Sequence, residues 1–470
     1  MHRVLLALAL AAGLTGAISA QQGSHAWLEA NVDAIFARWT SETPGCAVGV
    51  SKDGTPLVQK AYGMADLEHD VPNRADTIFE AGSVSKQFTA AAVLLLAQDG
   101  KLSLDDPVRR HVPELPDYGA PLTIRHMLQH TSGLRDWGEL AAIAGWPRTT
   151  QRYTDEHVLD ILSRQRALNF TPGTQHSYSN SGYTLAAIIV SRVSGKSLAE
   201  FSRERIFAPL GMTRTSWRDD HTRTVKGRAI AYRPAPSGFK IHMPFENVYG
   251  NEGLLTTVED LLKWNENFVA PKVGTPAFLA IQQEPGRLND GRRFTYAMGL
   301  VLDHYLGSPR VTHNGSTAGY RAHLARFPAQ GLSVAVLCNV VHAAADQYAN
   351  AIAKMFMGPV RLSDVRASSA TAARTSRSDP SYTPARADLE AFQGRYQSDE
   401  ADVVYDIGLV GRDLLVHRGT LFHTVLQPTA ADTFRVAETT WVFLRDERGA
   451  VTGISLRGPR VFDLRFKRVK

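Results

Sequence analysis

Hydrophobic positions along this chain fall into short blocks, and their spacing shifts between two and three-to-four residues, as strands interleaved with helices require. The first block differs from the rest. After Met1-His2-Arg3, residues Val4 to Ala20 are apolar or small throughout, and the polar pair Gln21-Gln22 follows. This predicts a secretory signal peptide over 1–20, cleaved after Ala20. The alternative is an uncleaved anchor, for which about 17 apolar residues is the short limit. No later stretch approaches that length, so no stable membrane span is expected after cleavage. A periplasmic or extracellular location follows.

From about residue 25 to 360 the pattern is mixed. Cys46 to Lys60 reads as two strands turning at Lys52-Asp53-Gly54. Ser85 to Gln98 reads as a buried helix with an Ala-Ala-Ala-Val-Leu-Leu-Leu-Ala centre, closed by Gly100. Ser181 to Ser194 is a second apolar helix, followed by Gly195. Val311 to Phe327 and Gly331 to Val340 alternate as paired strands do. Strands at both ends with helices between predict an α/β (α+β) domain whose sheet is built from its two termini.

At about Arg361 the composition changes. Residues 361–387 are rich in Ser, Ala, Thr and Arg without an apolar period, which predicts a linker. From 388 to 470 short strand-like runs recur at 403–407, 414–416, 441–444 and 461–464, separated by turn residues. With no helical segment among them, a small antiparallel all-β barrel or sandwich is expected.

The composition is that of a globular protein, with 44% hydrophobic residues in 470. Lys and Arg exceed Asp and Glu by 52 to 46, a net +6 spread without any run of five like charges. That argues against a nucleic-acid partner, which would call for clustered charge. Two cysteines, Cys46 and Cys338, exclude a disulfide-stapled scaffold and a four-thiolate zinc site. Each lies in or beside a predicted strand, which leaves their pairing open. Nothing fixes an oligomeric state.

Three short patterns carry chemistry. In Gly82-Ser83-Val-Ser-Lys86 the serine and lysine are three apart at a helix start, so an amine lies beside the hydroxyl. To act as a base, Lys86 must be neutral, which burial beside another cation arranges. A capping serine with a surface lysine gives the same pattern, and Ser237-Gly-Phe-Lys240 matches without opening a helix. In Tyr178-Ser-Asn180 a phenol can relay protons, and Asn180 can hold both the lysine and a substrate carbonyl. Tyr249-Gly-Asn251 and Tyr348-Ala-Asn350 share that spacing, and a plain turn before the second helix explains it equally. In His313-Asn-Gly315-Ser316 the glycine lets a substrate backbone lie close. The N–H just beyond it could pair with that of Ser83 as an oxyanion hole. His417-Arg-Gly419 has the same form, and a lone strand histidine is commonly structural.

Taken in order, Gly82-Ser83-Val-Ser-Lys86-Gln-Phe-Thr, Tyr178-Ser-Asn180-Ser-Gly-Tyr and His313-Asn-Gly315 resemble the serine β-lactamase and penicillin-binding protein superfamily. The likeness is to its class C β-lactamase-related branch, which includes D-aminopeptidases and esterases. Leu122-Thr-Ile-Arg-His-Met-Leu-Gln-His130-Thr-Ser-Gly-Leu134 and Gly253-Leu-Leu-Thr-Thr-Val-Glu-Asp-Leu extend the resemblance, which covers about residues 30 to 357. The C-terminal module looks like the lipocalin-like barrel appended in that branch.

The resemblance implies a β-lactamase/transpeptidase-like antiparallel sheet flanked by helices, and an acyl-enzyme mechanism. Ser83 would attack, Lys86 and Tyr178 would move protons, and Asn180 would orient Lys86 and the substrate. Gly315 and Ser316 would border the substrate, with Ser83 and Ser316 donating N–H groups to the oxyanion. His313 stands where many relatives carry lysine. Histidine is mostly neutral near pH 7, so a fixed cation for a substrate carboxylate is missing there. Peptides, amides, β-lactams and esters all remain possible substrates, a carboxylesterase being one alternative. A non-catalytic or slowly acylating sensor is another, although its expected mark, a broken nucleophile or base, is absent.

Other chemistries fail. His126 and His130 have zinc-like spacing without a following glutamate or a third ligand, so no metal is expected. Position 81 is alanine, which removes the Gly-x-Ser-x-Gly elbow. No phosphate-binding glycine loop occurs, so no nucleotide cofactor is implied. Trp137, Trp146 and Phe239, in segments 135–153 and 232–248, are expected either to wall a pocket or to pack the core.

Overall fold

The computed structural model describes residues 25–148, 150–357, 382–418 and 422–470. The segment expected to be a signal peptide and most of the expected linker lie outside the described residues. Among the described residues, no helix is long and apolar enough to cross a membrane.

A six-stranded antiparallel sheet organises the first part of the chain. Its order is Val301–Tyr305, Ser308–Thr317, Tyr320–Phe327, Leu332–Cys338, Cys46–Lys52 and Thr55–Tyr62. The two termini of this part therefore share one sheet, as the strand pattern predicts. Central strands Cys46–Lys52 and Leu332–Cys338 are buried on both faces, which is why they read as apolar runs rather than alternating ones. One face is covered by helix 25–36 and by Ala345–Lys354. The other carries Lys86–Gln98, Asn180–Ser194 and Val258–Glu266.

Pairing in this sheet sets Cys46 directly opposite Cys338, and they form a disulfide between fully buried side chains. The bond closes a loop of sequence separation 292. Crosslinking so long a loop removes much denatured-state entropy. The paired substitution Cys46→Ala/Cys338→Ala should therefore lower unfolding stability by about 2–5 kcal/mol. A denaturant titration in which the midpoint does not move would refute this.

The C-terminal part is a closed eight-stranded antiparallel barrel running in chain order from Gly394–Ser398 to Leu464–Val469. Aromatic side chains fill its interior. Tyr405 stacks on Phe466 with ring centroids 4.9 Å apart, and Phe434 meets Phe443 at 5.5 Å. Two expectations need correction here. A helix, Arg386–Phe392, precedes the first strand, and its Phe392 stacks on Phe443 at 4.2 Å to close one end of the barrel. The run at 461–464 is mostly loop, because the last strand begins at Leu464. Val461 is buried and Phe462 half-buried there, the Phe462 ring lying 6.3 Å from that of Phe170 and its N–H donating to Asn169 Oδ1 at 2.7 Å.

The docking of the barrel on the first part is polar and extensive. Arg135 pairs with Glu400 at 2.5 Å, with both side chains buried. Gln165 donates to the Glu400 carbonyl at 3.0 Å, and the Tyr405 hydroxyl donates to the Ile143 carbonyl at 2.5 Å. The barrel thus rests on the helical region that also carries Tyr178.

Candidate active site

Ser83 lies in a single 3-10 turn, Gly82–Ser85, that runs into the Lys86–Gln98 helix. The apolar sequence of this helix drives it through the core, with Lys86 to Leu96 all buried. Lys86 is carried in with it and is fully buried. Its Nζ lies 3.0 Å from Ser83 Oγ, 2.9 Å from Asn180 Oδ1 and 2.6 Å from the Asn251 carbonyl oxygen.

Burial pushes the Lys86 amine well below its usual 10.5. Asp136 opposes that shift, and Arg460 and Arg148 reinforce it. A neutral amine has two N–H groups and one lone pair. The two obligate acceptors, Asn180 Oδ1 and the Asn251 carbonyl, take the N–H groups, which leaves the lone pair for the Ser83 hydroxyl.

Tyr178 lies beside Ser83 at the cavity, and its ring centroid is 4.8 Å from Lys86 Nζ. Burial pushes its phenol well above 10, so the phenol holds its proton at neutral pH. Two neighbouring groups are thus driven apart, the amine toward a free base and the phenol toward a proton donor.

Two elements hold Tyr178 and Asn180 in place. His130 brackets the tyrosine: its carbonyl accepts from Ser177 N–H at 2.9 Å, and its Nδ1 accepts from Ser179 N–H at 3.2 Å. Its ring packs 4.1 Å from that of Tyr178, and its backbone takes the left-handed conformation at φ 57°. Burial holds the His130 imidazole well below 6.5, as an Nδ1 acceptor requires. Asp136 caps the Trp137–Ala144 helix through Gly138 and Glu139 N–H, and its Oδ2 accepts Asn180 N–H at 2.7 Å. His126 instead serves its own helix, with Nδ1 accepting from Thr123 N–H, so the histidine pair does not converge.

Opposite Ser83 runs the Ser308–Thr317 strand. Two glycines bring the backbones together. A Cβ on Gly82, at φ 50°, would lie 2.5 Å from Ser316 N, and one on Gly315 would lie 2.0 Å from the Ala81 oxygen. The Ser83 and Ser316 segments can therefore approach as two N–H donors to one oxyanion must. His313 lies on the same strand, nearly buried. Its Nδ1–H donates to the Asn314 carbonyl at 2.6 Å, and its Nε2 accepts the Tyr296 hydroxyl at 3.1 Å. Burial, helped by Lys86, lowers it to about 4. His313 is therefore neutral and internally satisfied.

These groups open onto a cavity of about 570 Å³ that also exposes Arg148, Glu252, Arg321 and Arg460. All seven site residues expected from sequence meet there or at its edge. The competing copies do not: Ser237 to Lys240, Tyr348 and His417 line no part of it. The aromatic wall is absent as well. Trp137 is buried in the core, Trp146 is exposed, and Phe239 packs on the opposite side of the sheet. Sequence reasoning missed Asn251, Asp136, His130 and Arg460 as parts of the site. Asn251 ends the Tyr249-Gly-Asn251 triplet, which shares the Tyr-x-Asn spacing, and it acts through its backbone carbonyl.

The beta-lactamase family profile matches residues 28–355, well over half of the chain. The chain belongs to the beta-lactamase family. Within that family it is 33% identical over 328 residues to a D-aminopeptidase from Gluconobacter oxydans (strain 621H). That match covers 69% of this chain and 60% of the relative, so the chain spans less than two thirds of the relative's length. An octameric penicillin-binding protein homologue from Pyrococcus abyssi shares the fold across 94% of this chain and 99% of its own, with TM-score 0.61 and 22% identity. The D-amino acid amidase from Ochrobactrum anthropi SV3 is similar over 70% of this chain and 97% of its own, with TM-score 0.59 and 23% identity.

Proposed function

We propose that this protein is an exported serine hydrolase that cleaves amide bonds through an acyl-enzyme on Ser83, with small amides or short peptides of D-amino acids as substrates. The observation that carries this reading is the 3.0 Å contact between Ser83 Oγ and an amine held neutral by burial. The amide preference and the D-configuration rest on the D-aminopeptidase and D-amino acid amidase similarities. Export is supported by the N-terminal apolar run and by the buried disulfide, which suits an oxidising compartment.

In the proposed reaction Lys86 takes the Ser83 proton as Oγ bonds to the substrate carbonyl carbon. The carbonyl oxygen becomes an anion that accepts N–H from Ser83 and Ser316. Tyr178 gives its proton to the leaving nitrogen as the C–N bond breaks, and the proton on Lys86 restores the phenol. Water then attacks the ester, losing a proton to the same pair, and Ser83 recovers its hydrogen. Asn180 and the Asn251 carbonyl hold Lys86 in position throughout.

Intact-mass spectrometry after fluorophosphonate treatment tests the nucleophile. One adduct is expected on the wild type and none on Ser83→Ala. An adduct that persists in Ser83→Ala, or a wild type that takes none, would overturn the mechanism.

A further inference from the structure

We propose that a second cavity, at the end of the sheet away from Ser83, binds a free α-amino acid with an apolar side chain, its carboxylate held by Arg326 and its ammonium by Glu266. The site is independent of the Ser83 mechanism, although amino acids are what that reaction would release.

Strand Tyr320–Phe327 connects the two cavities. Arg321, near its start, lines the Ser83 cavity, and Arg326, near its end, lines the second, about 17 Å away at about 3.4 Å per residue. The second cavity has a volume of about 600 Å³, ordinary for a small-molecule site. It lies where the turns after Cys46–Lys52 and Tyr320–Phe327 meet the end of helix Val258–Glu266.

Arg326 is a buried cation without a counter-ion. It is 6% exposed, and its Cζ lies 4.6 Å from the centroid of the Phe268 ring. Among the described residues its one hydrogen bond runs from Nη2 to the neutral Gln283 Oε1 at 2.6 Å, and Nε is buried with no acceptor. Burial pushes the guanidinium down to about 10. An unpaired buried cation is costly, and a carboxylate, which takes a guanidinium side-on, removes that cost. Glu266 supplies the opposite charge. It lines the same cavity and acts on Arg326 through space, yet among the described residues its carboxylate enters no ion pair or hydrogen bond. The other two charges there cancel, because Lys52 pairs with Asp53 at 2.8 Å. A cation and an anion facing each other beyond pairing reach fit a zwitterion better than a simple anion. Gln330 adds an acceptor for the ammonium: its Nε2 donates to Ser308 Oγ at 2.7 Å, and its buried Oε1 has no partner. Phe268, Val269 and Phe356 supply an apolar wall for the side chain.

The test is calorimetric titration of the full-length wild type, Arg326→Met and Glu266→Gln with D- and L-phenylalanine, and with 3-phenylpropionate, which lacks the ammonium. The wild type should bind at least one enantiomer saturably, about tenfold or more tighter than 3-phenylpropionate. Arg326→Met should weaken phenylalanine at least about tenfold. Glu266→Gln should erase the preference over 3-phenylpropionate. Glu266 is half-buried at a helix end, so this variant decides the matter if Arg326→Met does not fold. Binding should survive when the Ser83 cavity is filled by a bulky fluorophosphonate. No saturable binding to the wild type, an affinity unchanged in a folded Arg326→Met, a preference kept in Glu266→Gln, or loss of binding after fluorophosphonate treatment overturns the proposal. A protein that takes no fluorophosphonate refutes the acyl-enzyme reading alone, and the two variants still decide this site.

Discussion

Lys86→Met should reduce acylation of Ser83 by about 10²–10⁴-fold, the range for loss of a positioned general base. Methionine fills a similar volume in a buried site, so the loss is chemical rather than a cavity effect. It also removes the donors to Asn180 Oδ1 and the Asn251 carbonyl, leaving two buried acceptors unsatisfied. Lys86→Arg is the sharper control. A guanidinium stays protonated at working pH, so it cannot offer a lone pair to the serine. It should be as inactive as methionine, and an active Lys86→Arg would sink the base assignment.

The same logic fixes a pH dependence. The base form of Lys86 is required, and burial lowers its pKa. Activity should therefore persist well below pH 10 and fall on the acid side as the amine protonates. Stopped-flow acylation across pH checks the sign, and a rate that rises toward acid would contradict it.

The second large effect concerns stability. Glu80 and Arg218 are almost wholly buried and form a two-pronged pair at 2.9 and 3.1 Å. Glu80 ends a short strand that pairs with Leu254–Thr256, just upstream of the Ser83 turn. Arg218→Met removes one partner and leaves a carboxylate without its main counter-charge, the nearest other guanidinium being Arg228 at 3.8 Å. Breaking a buried pair in this way costs about 3–5 kcal/mol. Adding Glu80→Gln should recover a good part of that, because the orphaned charge is then gone. Denaturant midpoints for the two variants check this, and a loss under about 1 kcal/mol in Arg218→Met would contradict it.

What the sequence determined by itself is the local chemistry and the element types. Ser83 and Lys86 are three residues apart, so a helix alone makes them neighbours. Glycine at 82 and 315 and the apolar blocks on either side state where backbone must approach and where chain must be buried. The strand pattern also carried the sheet built from both ends. Tertiary structure decided everything that depends on distant segments meeting. The cysteine pairing is a matter of register, set by which strand lies beside Cys46–Lys52. Asn251 contributes a carbonyl, a group every residue carries, so no residue type could mark it. Asp136 and His130 are ordinary capping and loop residues until the Tyr178 segment is laid against them. Arg460 is one arginine among many until the barrel docks. Local periodicity encodes which face of an element is buried, but the partner that buries it, and the charge that partner brings, belongs to the packed chain.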